Sequence, residues 1–253
     1  MNLAFFGGTF DPVHRGHIAI AESATKHFEL AKVLFVPAEL PPHKQQQTFA
    51  SFAHRMAMVA LGTQGRPTFV PSDIEARLYA ETGKPNYSLE TLRRLKTELK
   101  KSDKLYFLVG IDAFLDIAKW YKPVELLREC EFIVANRPGY SLGDIAGSLP
   151  PELRPKAEVL KAAGKTGIGL AASGAVMAFS GVTLHLLEDV SERVSSTQLR
   201  AAAASSGRRL EGYVGDAVAE YIRKTRLYRA GAKSETSAST KEQADVKKKK
   251  ASR

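Results

Sequence analysis

Two rhythms of apolar residues alternate along the chain. Short, continuously apolar runs at 3–6, 33–36, 68–70, 105–109, 132–135 and 183–187 have the length and composition of buried strands. Between them, apolar positions recur at three- and four-residue steps, which predicts helices over 18–28, 52–61, 89–100, 113–118, 124–128, 196–204 and 213–224. The segment 89–100 shows the logic. Leu89, Leu92, Leu95 and Leu99 lie on one face with Arg and Lys between them, and Ser88 is placed to cap the first turn. Strand–helix alternation of this kind predicts an α/β protein on a parallel sheet. No internal repeat is evident.

The pattern breaks down over 141–182, where Leu149-Pro150-Pro151 and several glycines interrupt it. The run from 166 to 187 carries no charged residue and has the length of a membrane span. Gly167, Gly169, Gly174 and Gly181 with Ser173, Ser180, Thr183 and His185 make it too polar for one. A small-residue helix packed on the sheet, followed by an inner strand, is the expectation. The segment also holds two imitations of nucleotide motifs. Ala163-Gly164-Lys165-Thr166 resembles the end of a phosphate-binding P-loop, but Val159 stands where the first glycine is required. Gly167-Ile168-Gly169-Leu170-Ala171-Ala172 loosely fits a dinucleotide fingerprint without the strand that should precede it.

Composition adds limits rather than an assignment. With 253 residues, 44% hydrophobic and 25% charged, the chain can bury its own core without a disulfide or metal staple. A lone Cys130 excludes an internal disulfide framework, and no secretory signal is read at the start, so a reducing, cytoplasmic setting is expected. The net charge of +10 suggests nucleic acid until it is located. Residues 229–253 hold eight basic and three acidic side chains in a Ser/Ala/Thr/Lys-rich stretch without apolar period, half of the excess. We expect that stretch to be a disordered, solvated tail after a single domain at 1–228, with no stable nucleic-acid partner and no membrane anchor.

The chemistry concentrates at the start. Gly7-Gly8-Thr9-Phe10-Asp11-Pro12-Val13-His14-Arg15-Gly16-His17 follows the first strand and opens the first helix. Strand, glycine turn and helix N-terminus together make an anion site: backbone N–H groups of Gly7, Gly8, Thr9 and Phe10 can approach a phosphate, and the helix dipole favours negative charge. His14 and His17, three apart, can direct donors at the same phosphate. Two histidines at this spacing could also bind a metal, but no third ligand sits at a matching local spacing, so no protein-held metal is expected.

Gly7–His17 resembles the GGxFDPxHxGH signature of the HxGH nucleotidyltransferases, most closely that of the bacterial nicotinate-nucleotide adenylyltransferases. Val194-Ser195-Ser196-Thr197-Gln198-Leu199-Arg200 is similar to the family's second signature, a hydroxyl-rich helix start with a guanidinium one turn on. Alone, Ser-Ser-Thr would be an ordinary helix cap. The resemblance implies a Rossmann-like, doubly wound parallel sheet of nucleotidyltransferase type. It implies an ATP site drawing on Gly110, Asp112, Arg137, Ser195, Ser196, Thr197 and Arg200 besides the glycine turn, with Asp112 toward the ribose. Trp120 and Tyr121 would line a nicotinate pocket, an indole offering a flat face to a pyridine ring. Pro41-Pro42-His43-Lys44 resembles the family's PPHK loop, and Asn86-Tyr87-Ser88-Leu89-Glu90-Thr91-Leu92 its YSxxTL segment, which adds His43, Lys44, Tyr87 and Thr91 on the substrate side. Arg137 lies in a segment similar to the family's RPGY turn, whereas His54-Arg55-Met56 reads as scaffold. Residues 141–182 are longer and richer in glycine than the family pattern.

The activity so implied is adenylyl transfer from ATP to nicotinate mononucleotide, giving deamido-NAD and diphosphate, with His14 and His17 catalytic and Mg²⁺ arriving with ATP. Partners would be those two substrates, with a homo-oligomer open. Two other readings remain: another HxGH adenylyl- or cytidylyltransferase, such as a pantetheine-phosphate adenylyltransferase, and a non-enzymatic nucleotide-binding or RNA-associated module.

Overall fold

A computed structural model of the chain describes residues 1–40, 50–136, 140, 142–155, 176–188, 190, 194–205 and 210–229. Its centre is a seven-stranded sheet of β1 (Asn2–Gly8), β2 (Lys32–Pro37), β3 (Phe69–Pro71), β4 (Lys104–Gly110), β5 (Glu131–Ala135), β6 (Val176–Phe179) and β7 (Val182–Leu187). The spatial order is β3-β2-β1-β4-β5-β7-β6. Every pairing is parallel except β6 with β7, so the sheet is mostly parallel with one antiparallel edge.

Alternation in β1 explains why both faces must be covered. Leu3 and Phe5 enter one core with Phe107, Phe114 and Phe132, while Ala4 and Phe6 enter the other with Phe10, Phe35 and Met58. Helices α1 (Arg15–Phe28), α2 (Phe52–Gly62), α3 (Ile74–Thr82), α4 (Ser88–Glu98), α5 (Ile111–Phe114), α6 (Pro123–Glu129), α7 (Leu142–Ser148), α8 (Ser196–Ala204), α9 (Glu211–Val214) and α10 (Asp216–Lys224) supply that cover. From β1 the chain winds outward through β2 to β3, then returns to place β4 on the other side of β1. Such a reversal opens a crevice at the carboxyl ends of β1 and β4, the usual ligand position in doubly wound sheets.

The six expected strands are present, each extended by a residue or more or shifted at its ends. Four expectations need correction. Tyr87, not Ser88, caps α4, which begins one residue earlier than the leucine period suggests. The helix expected at 113–118 is a short α5 followed by a 3₁₀ turn, Ile117–Lys119. The helix expected at 213–224 is broken at Gly215, whose φ of 81° is outside helical space and separates α9 from α10. Directly ahead of the last strand, where a small-residue helix was expected, residues 176–179 form β6, while 156–175 lie outside the described residues. A tight turn through Ser180 and Gly181, both at positive φ (48° and 78°), folds β6 onto β7, as two-residue hairpins require. The strand at 182–187 is indeed an inner one, between β5 and β6. Helices α3 and α7 were not anticipated. Both nucleotide-motif imitations at 163–172 and the tail from 230 onward lie outside the described residues, and among those described no helix is long and apolar enough to cross a membrane.

Candidate active site

The crevice holds a cavity of about 540 Å³. Its floor is the β1–α1 turn. Gly7 leaves β1 where a Cβ would sit 2.8 Å from the Phe5 ring, so the close packing below the turn needs glycine. Phe10 adopts a left-handed φ of 49°, a conformation that L residues disfavour. Packing holds it there: its ring is 1% exposed and lies against Phe6, Phe35 and His17 at centroid distances of 5.5, 5.6 and 4.9 Å. A cis Asp11–Pro12 bond follows, and the turn then enters α1 with His14 in the cap position.

The two histidines are coupled. Their rings stack at 3.7 Å between centroids, and the His14 backbone N–H donates to His17 Nδ1 at 3.2 Å. A ring nitrogen that accepts cannot carry the proton, so in neutral His17 the donor is Nε2. His14 is buried, His17 half-buried, and both line the cavity. The His14 side chain in turn accepts from the His17 backbone N–H, so the two imidazoles form a reciprocal cap at the positive end of the helix.

The second signature meets the first. Ser195 caps α8, the Ser196 hydroxyl donates to Pro12 O at 3.1 Å, and Arg200 Nη1 donates to Asp11 O at 2.9 Å. Arg200 Nη2 donates to Thr197 Oγ1 at 3.2 Å, which aligns guanidinium and hydroxyl on one wall. Segments 184 and 189 residues apart are therefore hydrogen-bonded to each other around one cavity.

Behind the turn is a buried ionic scaffold. Arg55, 2% exposed, donates through Nε to Ala50 O (3.0 Å), through Nη1 to Thr9 O (3.0 Å) and through Nη2 to Glu39 O (3.3 Å). Burial pushes the Asp11 carboxyl up and the Arg55 guanidinium down from their ordinary values, and their mutual attraction opposes both shifts. Burial likewise pushes Glu75 up to about 7, against hydrogen bonds from Glu39 N–H and the Thr91 hydroxyl, each at 3.3 Å.

Aromatic side chains make the opposite wall. Tyr87 and Tyr121 stack at 4.3 Å with 23° between their planes, and Trp120 packs at 5.9 Å from Phe107. All three line the cavity, as do Gly110, the exposed Asp112 on the first turn of α5, and Asn136.

Of the residues singled out from sequence, the cavity gathers Gly7, Gly8, Thr9, Phe10, His14, His17, Tyr87, Gly110, Asp112, Trp120, Tyr121, Ser195, Ser196, Thr197 and Arg200. Thr91 is not among them. It shares the inner face of α4 with Leu92 and Leu95, is fully buried, and donates to Glu75 and to Tyr87 O instead of facing a substrate. His43, Lys44 and Arg137 lie outside the described residues. Sequence reading passed over Asp11, Glu75, Asn86 and Tyr228. Asp11 was visible inside the motif, but the buried carboxylate's partners are distant and had no local signal.

The comparisons with known proteins identify the family and agree with the fold. The model of the cytidylyltransferase-like family matches residues 5–202. A Geobacter metallireducens chain named "Probable nicotinate-nucleotide adenylyltransferase" is 34% identical over 228 residues, covering 90% of this chain and 98% of that one. A Moorella thermoacetica chain of the same name is 34% identical over 227 residues, covering 90% and 91%. Among solved structures, Plasmodium falciparum nicotinic acid mononucleotide adenylyltransferase complexed with NaAD superposes with a TM-score of 0.64 at 18% identity, covering 90% of this chain and 97% of that one. The same protein complexed with APC gives 0.62 over 90% and 96%. By sequence, and with a fold that agrees, the chain belongs to the nicotinate-nucleotide adenylyltransferases of the cytidylyltransferase-like family.

Proposed function

We propose that the protein transfers the adenylyl group of ATP to nicotinate mononucleotide, a step of NAD biosynthesis, with residues 1–228 as the catalytic domain. The observation that carries the reading is the junction of the β1–α1 turn with the Ser195–Arg200 turn around one cavity. A 5′-phosphate oxygen of the mononucleotide attacks the α-phosphorus of ATP, a new P–O bond forms, the α–β bridge breaks, and diphosphate leaves. The attacking phosphate is already anionic, so no general base is needed. Alignment and charge neutralisation supply the rate.

In this scheme His14 and His17 contact α/β phosphate oxygens. His17 Nε2–H is the donor best placed for charge that develops in the transition state. Thr197 and Arg200 hold the β/γ side, with Ser196 bonded to Pro12 O as the clamp between the two turns. Asp112 accepts from the ribose, Lys44 adds positive charge near the phosphates, and Trp120 with Tyr121 offers faces to the pyridine ring. Mg²⁺ would neutralise the outer phosphates. Such an ion keeps several waters and is held mainly by substrate phosphate oxygens.

Diphosphate release from ATP, assayed with nicotinate mononucleotide, nicotinamide mononucleotide and 4′-phosphopantetheine, tests the reading. We expect turnover with the first and strong discrimination against the second. Turnover with phosphopantetheine alone would reject the acceptor assignment.

A further inference from the structure

Tyr228 lies near the end of the described chain, yet its hydroxyl reaches the first catalytic turn and donates to Asp11 Oδ1 at 2.7 Å. The path there is unusual. After α10 the chain passes through Arg226 and Tyr228 at left-handed φ of 55° and 66°, and neither is glycine. Such backbone persists only where the surroundings over-determine it, and here Leu227 and Tyr228 pack against the core shared by Phe6, Phe10 and Met58. The Asp11 carboxylate they reach is wholly enclosed. Oδ1 also accepts from the Ala50 N–H at 3.2 Å. Oδ2 makes no hydrogen bond among the described residues and faces Arg200 Nη1 at 3.8 Å, the same nitrogen that donates to the Asp11 carbonyl.

We propose that Tyr228 is a positioning residue for adenylyl transfer: by fixing one oxygen of Asp11 it turns the other toward Arg200, and so aims the guanidinium at the polyphosphate. An aspartate χ2 is broad and roughly two-fold, so a carboxylate anchored at a single oxygen by a backbone N–H can swing. Two donors on Oδ1 hold it. Arg200 is then set from two sides, by the Asp11 backbone and carboxylate and by Thr197. The proposal rests on the reading that Arg200 grips ATP, but it adds a residue outside both signatures, 217 positions from Asp11.

Tyr228→Phe removes the hydroxyl and keeps the ring. We expect the KM for ATP to rise about tenfold, the size of a coupling between neighbours in one network, with the KM for the mononucleotide unchanged. The groups facing Asp11 are Tyr228, the Ala50 amide, Arg200 and Arg55. Loss of the Tyr228 hydrogen bond lets burial push Asp11 further up, so the acid limb of kcat/KM for ATP moves to higher pH. Asp11→Asn should raise the ATP KM by itself, and Tyr228→Phe added to it should cost little more. A purely structural tyrosine would raise both KM values together, leave the acid limb in place and add its full effect to Asp11→Asn; any of these patterns overturns the proposal. Arg200→Ala separates the two layers. If it raises the ATP KM while Tyr228→Phe does not, the positioning role falls and adenylyl transfer stands; if Arg200→Ala leaves ATP unaffected, the assignment of Arg200 falls with it.

Discussion

Asp11, His14 and Arg55 are each buried beside the wall that would hold phosphates, and most of their partners come from distant parts of the chain. Across the cavity, Tyr121 is 39% exposed, and its principal contact is the face of Tyr87, another partly accessible ring. The contrast follows from what each wall has to recognise. A polyphosphate is bound by charge and by donors at fixed positions, and a fixed donor is worth most where it cannot relax. A flat heteroaromatic ring is bound by stacking, which tolerates side chains held chiefly by one another. Damage to the first wall should therefore appear in stability, kcat or the KM of ATP, and damage to the second in the KM of the acceptor.

Arg55→Ala should have the largest effect. It strips donors from the carbonyls of Thr9, Glu39 and Ala50, removes the guanidinium that offsets burial of the Glu39 carboxylate, and takes a smaller share of the support from Asp11, which keeps Tyr228, the Ala50 amide and Arg200. Hydrogen bonds to a charged group are worth about 1.5–3 kcal/mol each, so loss of these three should cost about 3–5 kcal/mol or more. We expect a loss of that size in urea unfolding. A loss below about 1 kcal/mol would show that the turn does not depend on this scaffold.

His17→Ala should cost about 1 kcal/mol in unfolding, because Nδ1 accepts the His14 N–H at the helix cap, and lower kcat by about 10²–10³, the scale for removal of one donor to developing charge. The imidazole is half-buried, stacked on His14 and flanked by Phe10, so truncation removes one cap acceptor and the Nε2 donor while the fold persists. Turnover within a few-fold of the parent would remove His17 from the transition state and weaken the contrast between the walls.

What could be read from sequence divides in a similar way. The β1–α1 turn was legible because its strand, glycines and histidines are contiguous, and α8 because its cap, its helix and Arg200 lie within one short segment. The partners that hold this turn were not, because Arg55 meets Thr9 across 46 residues and Tyr228 meets Asp11 across 217, distances at which no spacing rule operates. Thr91 was misplaced for the converse reason. The family resemblance set its hydroxyl toward the substrate, but the period of Leu92 and Leu95 put it on the inner face of α4, and that period prevailed. Strand β6 was hidden by the small residues around it, although Ser180-Gly181 between Phe179 and Val182 is a hairpin signal in its own right.

Trp120→Ala addresses the aromatic wall and should have the smallest effect. The indole is half-buried, ends the 3₁₀ turn Ile117–Lys119 and rests on Phe107, while the neighbouring Tyr121 ring keeps its own stack on Tyr87. Truncation thus removes one face from the cavity without unseating the other. A lost aromatic contact of about 1.4 kcal/mol corresponds to a tenfold rise in the acceptor KM. The ATP KM should not move, because no residue of the phosphate wall packs on this ring in the described contacts. If both KM values rose equally, the indole would be supporting the whole cavity through Phe107, which continues into the core with Phe5 and Phe132, and the two walls would have to be treated as one mechanical unit.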